Sequence, residues 1–496
     1  MIEAVDVILV AMVLSGAAVL VVGCFQFILA GLHVMRRPYA RAMELYPRVA
    51  VIIPAWNEGA VLGRTIDRLL AMHYPQDRLR VYIVDDGSTD ETPRVIADRA
   101  ALSPAAVVNL RRETGGGGKA HAINYGLRRI QQDDWYEAVL IIDADVLVSD
   151  TALRRMARHF GDAQVGGVTA YIKEGSEPAN YVNRFVSFEY ITAQAAARRA
   201  QNTLGAQACL AGGAQLIRRA ALERLGGELE TSTLAEDTVT TFRIQLAGYD
   251  VVFEGNAVVW AEEPDTIAGL WRQRVRWARG NVQVTRLFRG VWLHRLRVGP
   301  LGGPGFAAIW ASVIFMPVFM VASTIGLVVL FFSDRSLSVQ AFQWLWALAG
   351  GTFLFVTLCS LLIDTEAARR CWREGLLFPG AINLALIMFG LFGPVITPLI
   401  QPQLAAVGLH RGQPLLTYVL FFSDIWLTLS IVCAYLVKRL EQSGHLRALV
   451  APLLYVVGYG PLLCAVTVGG YLAELRGADR RWEKTDKIGR IGELVA

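Results

Sequence analysis

Six apolar runs enclosing one polar block constrain this chain more than any other feature. Residues 7–32 form the first run, and at about 1.5 Å per helical residue it can cross a hydrocarbon core of about 30 Å. Glu3 and Asp6 precede it, whereas Arg36, Arg37 and Arg41 follow it. The positive-inside rule therefore places the N-terminus outside and the chain from residue 40 onward in the cytoplasm. The run lacks the basic start, shorter apolar core and small-residue cleavage site of a removed signal peptide, and it reads as a retained anchor over residues 1–35.

Five more runs follow the polar block, at 306–332, 340–363, 376–400, 415–437 and 449–475. Five crossings after a cytoplasmic block would leave the basic tail 476–490 outside, against the charge rule. One run is therefore expected to lie in the interface or to re-enter. Residues 376–400 are the first choice, because Pro379, Pro394 and Pro398 interrupt them, and 449–475 the second. A composition of 54% hydrophobic residues agrees with a membrane protein. The net charge of +5 is small for 496 residues, and the surplus Lys and Arg lies beside the apolar runs. That distribution suits anionic lipid headgroups and argues against a nucleic-acid partner. Six scattered cysteines without paired spacing predict neither a disulfide framework nor a zinc site.

Between 40 and 300 short apolar strands alternate with amphipathic helical stretches, the pattern of an α/β sheet. Residues 48–54 form a continuous apolar strand, and Asn57 and Glu58 lie in the loop at its carboxyl end, where open α/β sheets bind ligands. A helix over 60–72 and a strand over 79–84 lead into Asp85-Asp86-Gly87-Ser88. Asp86 can accept from a uracil N3–H or a ribose hydroxyl; the other reading is a turn followed by a helix cap. Gly115 to Gly118 and Lys119 evoke a phosphate loop, but Glu113 and Ala120 break the pattern GxxxxGK followed by Ser or Thr. What remains is either a mobile connection or a lysine that reaches a phosphate.

The apolar strand 138–142 emerges at Asp143 and Asp145. Alternate carboxylates at a strand exit either serve the turn or hold a hard divalent cation against phosphate oxygens. Glu236-Asp237 offers a separate base, or the start of a helix over 237–247 that Gly248 ends. Residues 271–296, which contain Gln273-Arg274-Val275-Arg276-Trp277, read alone as a basic amphipathic interfacial helix with tryptophan anchors.

Taken in order and spacing, these elements resemble the processive family 2 glycosyltransferases, among them cellulose, hyaluronan, chitin and poly-N-acetylglucosamine synthases. The likeness covers about 40–300 and extends to the membrane layout. Its most specific part is Glu236-Asp237 followed by the QxxRW signature at 273–277, with Glu263-Pro264-Asp265-Thr266 between them. The resemblance implies an α/β, GT-A-like cytoplasmic domain over 40–270 and an α-helical transmembrane region. An interface helix at 271–300, membrane segments over 306–475 and a cytoplasmic tail at 476–496 complete the expected order.

The same resemblance assigns expected roles. Asn57, Glu58, Asp86 and Lys119 would surround uridine diphosphate, and Asp143 and Asp145 match the DxD motif, with Asp145 the principal Mg²⁺ or Mn²⁺ ligand. Asp237 matches the general base, with Glu236 beside it in the catalytic pair. Gln273, Arg274, Arg276 and Trp277 match residues that bind pyrophosphate and the terminal sugar of the acceptor. Trp482, Lys484, Thr485 and Lys487 resemble a nucleotide-capping tail.

The implied activity is inverting, processive β-transfer from a UDP-sugar into an exported polysaccharide, at a multi-pass position in the plasma (inner) membrane. UDP-N-acetylglucosamine is the preferred donor, since residues 234–238 and 263–266 most resemble the poly-N-acetylglucosamine branch. The expected partners are donor, growing chain and lipid bilayer, with room for accessory export or regulatory subunits. UDP-glucose giving a β-glucan is one alternative. Single transfer to polyprenyl phosphate is another, against which QxxRW argues. A non-catalytic export or scaffold subunit would instead predict a damaged site.

Overall fold

The computed structural model describes residues 2–36, 39, 43–408, 414–444, 446–479, 487 and 489–492. They belong to two compact units. One joins Met1–Phe27 to Ala308–Ala473, and the other joins Ile28–Ala307 to Glu474–Ala496.

After the long first helix, α1 (Ile2–Arg36), the second unit runs β1 (Val49–Ala55), α2 (Gly59–Leu70), β2 (Leu79–Asp85), α3 (Thr92–Leu102), β3 (Val107–Arg111), α4 (Lys119–Asp133), β4 (Ala138–Ile142), β5 (Val146–Val148), α5 (Ala152–Ala157) and β6 (Val165–Glu174). It continues with α6 (Tyr181–Tyr190), a π-helical turn at Ile191–Ala196, α7 (Ala197–Leu204), β7 (Ala214–Arg218), α8 (Arg219–Arg224), α9 (Glu236–Leu246), β8 (Asp250–Ala261) and α10 (Ile267–Leu287). The strands form one eight-stranded mixed sheet in the order β3-β2-β1-β4-β7-β6-β8-β5. The first four of these are mutually parallel, β7 is antiparallel to both β4 and β6, and β8 is parallel to β6.

The local reasons are visible in the residues. All five residues of β4 are buried, as expected of a strand covered on both faces. In α4, Ala122, Ile123, Gly126, Leu127 and Ile130 recur at helical spacing and form the buried face. Ala122, Ile123, Leu127 and Ile130 join Ile52, Val84, Ile141 and Ile217 in one core cluster. Helix α10 starts at Ile267 because the Thr266 side chain accepts from Gly269 N at 3.1 Å, and it ends at Leu287. The single interfacial helix expected over 271–296 is thus shifted toward the N-terminus, and its arginines Arg274 and Arg279 are buried rather than lipid-facing.

In the other unit, Leu9, Val13 and Ala17 of α1 pack with Leu327, Leu330, Phe342, Leu345 and Ile387. Among the described residues, five helices are long and apolar enough to cross a membrane: Ala4–Arg36, Pro304–Ser333, Arg335–Ile363, Ala381–Ala406 and Thr417–Ser443. A pair bent by 97°, Arg447–Val457 and Tyr459–Leu475, makes up to six. The break therefore falls in the second of the two expected segments. Ala381–Ala406 continues through Pro394, Pro398 and Pro402, as apolar helices tolerate when neighbours satisfy the freed backbone. The sharp turn sits at Gly458, whose φ is +101°, and a Cβ there would come within 2.5 Å of the Pro379 carbonyl carbon.

Candidate active site

Parallel pairing places Ala55 opposite Asp85, so the loops leaving β1 and β2 lie side by side. Asn57 adopts a left-handed φ of +56°, which Asn tolerates better than most residues. Its backbone N donates to Ser88 Oγ at 2.9 Å, and its Oδ1 accepts from Thr89 N at 2.8 Å. Glu58 N donates to Thr92 Oγ1 at 2.7 Å. These contacts bind the two loops into one rim. Asp86 is buried, pairs with Arg112 and accepts from Gly116 N at 3.2 Å. Asp85 pairs with Arg111 at 2.8 Å, so Asp85 and Asp86 each have their own arginine.

Lys119, the first residue of α4, carries the centre of the site. Its Nζ lies 2.5 Å from Asp143 Oδ1 and 4.0 Å from Glu236 Oε1, and it donates to Gly212 O at 3.2 Å. Gly212 N in turn donates to Asp237 Oδ2 at 3.2 Å, while Asp237 Oδ1 accepts from Thr238 N at 2.7 Å. Gly212 thus serves the lysine with its carbonyl and the aspartate with its N–H. A Cβ at this position would lie 2.9 Å from Lys119 Nζ and 3.3 Å from Asp237 Oδ2. No side-chain signal in the sequence marks Gly212.

The electrostatics follow from this crowding. Burial, then the neighbouring Asp237 charge, raises the Glu236 carboxyl to about 7. Burial acts to lower the Lys119 ammonium, but Asp143 and Glu236 outweigh it and leave it raised. Burial lowers the Arg276 guanidinium of α10, and the charges of Glu236, Asp143 and Asp237 offset this only in part.

The rest of the QxxRW segment engages protein carboxylates. Gln273 Nε2 donates to Glu263 Oε2 at 2.9 Å, and Arg274 donates to Gln273 Oε1 at 2.8 Å and to Glu189 Oε2 at 2.9 Å. Tyr190 donates its hydroxyl to Glu263 Oε1 at 2.5 Å. Trp277, 38% exposed, presents its ring beside this buried network. Glu189 and Tyr190 close α6 immediately before the π-helical turn, and sequence reasoning missed both. Their contacts depend on tertiary packing that no local pattern announces.

Asp145 lies one residue beyond Ala144, whose carbonyl accepts from Thr65 Oγ1 at 2.7 Å. Its Oδ2 is 2.8 Å from Lys487 Nζ. Of the tail residues singled out from sequence, Lys487 is therefore in the site, whereas Trp482, Lys484 and Thr485 lie outside the described residues. Two hard carboxylates, Asp143 and Asp145, each bearing an ammonium in this structure, form a donor set that suits an oxygen-seeking divalent cation completed by phosphate and water. No group of three or more His, Cys, Asp or Glu side chains arranged as a metal cage occurs among the described residues.

Comparison with known proteins gives a consistent picture. Residues 47–280 match the model described as Glycosyltransferase like family 2. The probable glycosyltransferase YdaM of Bacillus subtilis is 30% identical over 327 residues, covering 65% of this chain and 76% of that protein. A poly-beta-1,6-N-acetyl-D-glucosamine synthase of Staphylococcus epidermidis is 29% identical over 49% of this chain and 56% of its own length. A beta-monoglucosyldiacylglycerol synthase of Synechocystis is 33% identical over 48% of each chain. The matches to these last two span about half of the relative's length. Among solved structures, the mannosyltransferase PcManGT from Pyrobaculum calidifontis, in complex with GDP-Man and Mn²⁺, superposes with a TM-score of 0.55 at 23% identity, over 74% of this chain and 98% of that one. The sheet-and-helix unit has the GT-A-like fold.

Proposed function

Because the chain belongs to the family 2 glycosyltransferases, we propose that it is a membrane-embedded, inverting β-glycosyltransferase that polymerises a UDP-sugar, preferentially UDP-N-acetylglucosamine. In this reading the donor binds on the cytoplasmic face, Mg²⁺ or Mn²⁺ is required, and the same chain exports the product across the plasma membrane. The observation that carries it is the convergence of Asp143, Glu236 and Asp237 around Lys119 and Gly212. Segments far apart in sequence meet there as an undamaged acid–base centre, which a scaffold subunit would not need.

Each residue has a physical task. Asn57, Glu58 and Asp86 shape the rim for uridine. Asp143 and Asp145 would hold the divalent cation, which when bound supplies counter-charge to the departing diphosphate. Lys119 and Arg276 add positive charge to the same region. Asp237, oriented by Gly212 N–H and Thr238 N–H, accepts the proton of the acceptor hydroxyl as that oxygen attacks the anomeric carbon. Attack opposite the diphosphate converts an α-linked donor into a β-linked product. Gln273 and Arg274 hold the platform from which Trp277 stacks on the acceptor sugar. The likeness to a poly-beta-1,6-N-acetyl-D-glucosamine synthase supports a polymeric product. The likeness to a glycolipid synthase supports single transfer to a lipid as the second reading.

The test is to supply purified protein with each radiolabelled UDP-sugar plus Mg²⁺ or Mn²⁺, and to digest the product with linkage-specific hydrolases. The proposal expects high-molecular-weight label from UDP-N-acetylglucosamine that a β-specific hexosaminidase removes. Label confined to a lipid extract would favour the second reading.

A further inference from the structure

We propose that Lys487 is an internal counter-ion for Asp145, and that this lysine, with residues 489–492 anchored beside it, competes with the divalent cation for this carboxylate until donor and cation arrive together. The inference rests on reading Asp145 as a cation ligand.

The contact is built into the fold. Lys487 Nζ lies 2.8 Å from Asp145 Oδ2, with the two side chains 12% and 15% exposed, and it also donates to the Glu262 carbonyl. The residues that follow are held by groups from two connections and one helix of the same unit. Glu262 Oε2 accepts from Gly489 N at 2.8 Å and Arg490 N at 3.1 Å, and Arg490 pairs with Asp265 at 2.5 Å. Arg64 of α2 donates to the carbonyls of Gly489 at 3.3 Å and Ile491 at 2.9 Å. Beyond β6, Glu177 N donates to Arg490 O at 2.6 Å, and Ser176 forms a β-bridge with Ile491. A solvated tail would leave these backbone groups to water. Here they have specific partners, so the position of Lys487 is specified rather than incidental.

The consequence is competitive. Four carboxylates, Asp143, Asp145, Glu236 and Asp237, crowd one region, and Lys119 and Lys487 neutralise part of that charge. An ammonium and a divalent cation at one carboxylate repel each other, so the two compete for Asp145. A bare cation must displace Lys487 from Asp145 and leave its charge to Glu262 and Glu263 alone. When a diphosphate enters with the cation, it provides the displaced ammonium with a new partner. Cation and donor therefore bind with positive coupling, which by linkage is reciprocal.

The experiment uses the full chain in detergent and measures Mn²⁺ binding by calorimetry, first with Mn²⁺ alone and then with UDP present. Lys487→Met is expected to bind Mn²⁺ alone about tenfold more tightly than the wild type, and to lose most of the enhancement that UDP gives the wild type. Glu262→Ala, which removes the acceptor for Gly489 and Arg490 while retaining Lys487, is expected to shift Mn²⁺ affinity in the same direction. Unchanged or weaker Mn²⁺ affinity in Lys487→Met overturns the inference. Asp145→Ala separates the two levels: if it binds Mn²⁺ as the wild type does, the reading of Asp145 falls and the inference with it. If Asp145→Ala loses binding while Lys487→Met is unchanged, the counter-ion role alone falls.

Discussion

The guanidinium of Arg274 lies over the ring of Trp277, 3.9 Å from its centre. At that separation the cation and the ring face attract each other. The same guanidinium is paired with Glu189 at 2.9 Å in the interior, so one buried ion pair underlies the half-exposed aromatic surface.

Breaking that pair from one side should be costly, because a buried carboxylate would lose its counter-charge. Arg274→Met is expected to destabilise the catalytic unit by about 3–5 kcal/mol, seen as a lowered melting temperature in detergent. Adding Glu189→Gln should recover part of the loss. A double variant no more stable than Arg274→Met would show that the pair is not coupled.

Asp237→Asn keeps the shape of the side chain but cannot accept the acceptor proton. Turnover is expected to fall by about 10²- to 10⁴-fold, with UDP affinity within a few-fold of the wild type by equilibrium dialysis. A variant retaining more than a tenth of wild-type turnover rules out this base.

Glu236 makes a prediction about pH. Its carboxyl ordinarily titrates at 4.5 and is raised to about 7 in the folded chain, by burial first and then by Asp237. Between those values the folded state binds the proton more tightly than the unfolded chain. Its contribution to stability is therefore present below pH 4.5 and is lost as pH rises through 7. Glu236→Gln should flatten the decline of melting temperature across this window. An unchanged slope would remove Glu236 as its source.

The parts of the molecule legible in the sequence are those carried by local pattern. The apolar run ending at Asp143 is the buried strand β4, and the run at 48–54 is β1, displaced by one residue. Long apolar segments emerge as long helices for the same reason. What was illegible depends on tertiary contact. Proline content pointed to 376–400 as the broken segment, yet close backbone packing at Gly458 decides the bend. Glu189 is one acid on an amphipathic helix until α10 brings Arg274 to it. Gly212 acts through its backbone alone. Lys487 looked like part of a nucleotide-capping tail, and only the folded chain places it on Asp145.

Repeated transfer to one retained chain leaves its mark in product length. Stacking on an aromatic ring contributes about 1–3 kcal/mol by analogy with nucleic-acid bases, enough to hold an acceptor end between cycles without preventing its advance. Limiting enzyme is started on labelled donor, excess unlabelled donor is added after initiation, and product is sized by gel and mass spectrometry. Labelled chains are expected to keep lengthening through the chase in the wild type and to be much shorter in Trp277→Ala, with UDP binding little changed. Wild-type product that stops at one added sugar would contradict repeated transfer.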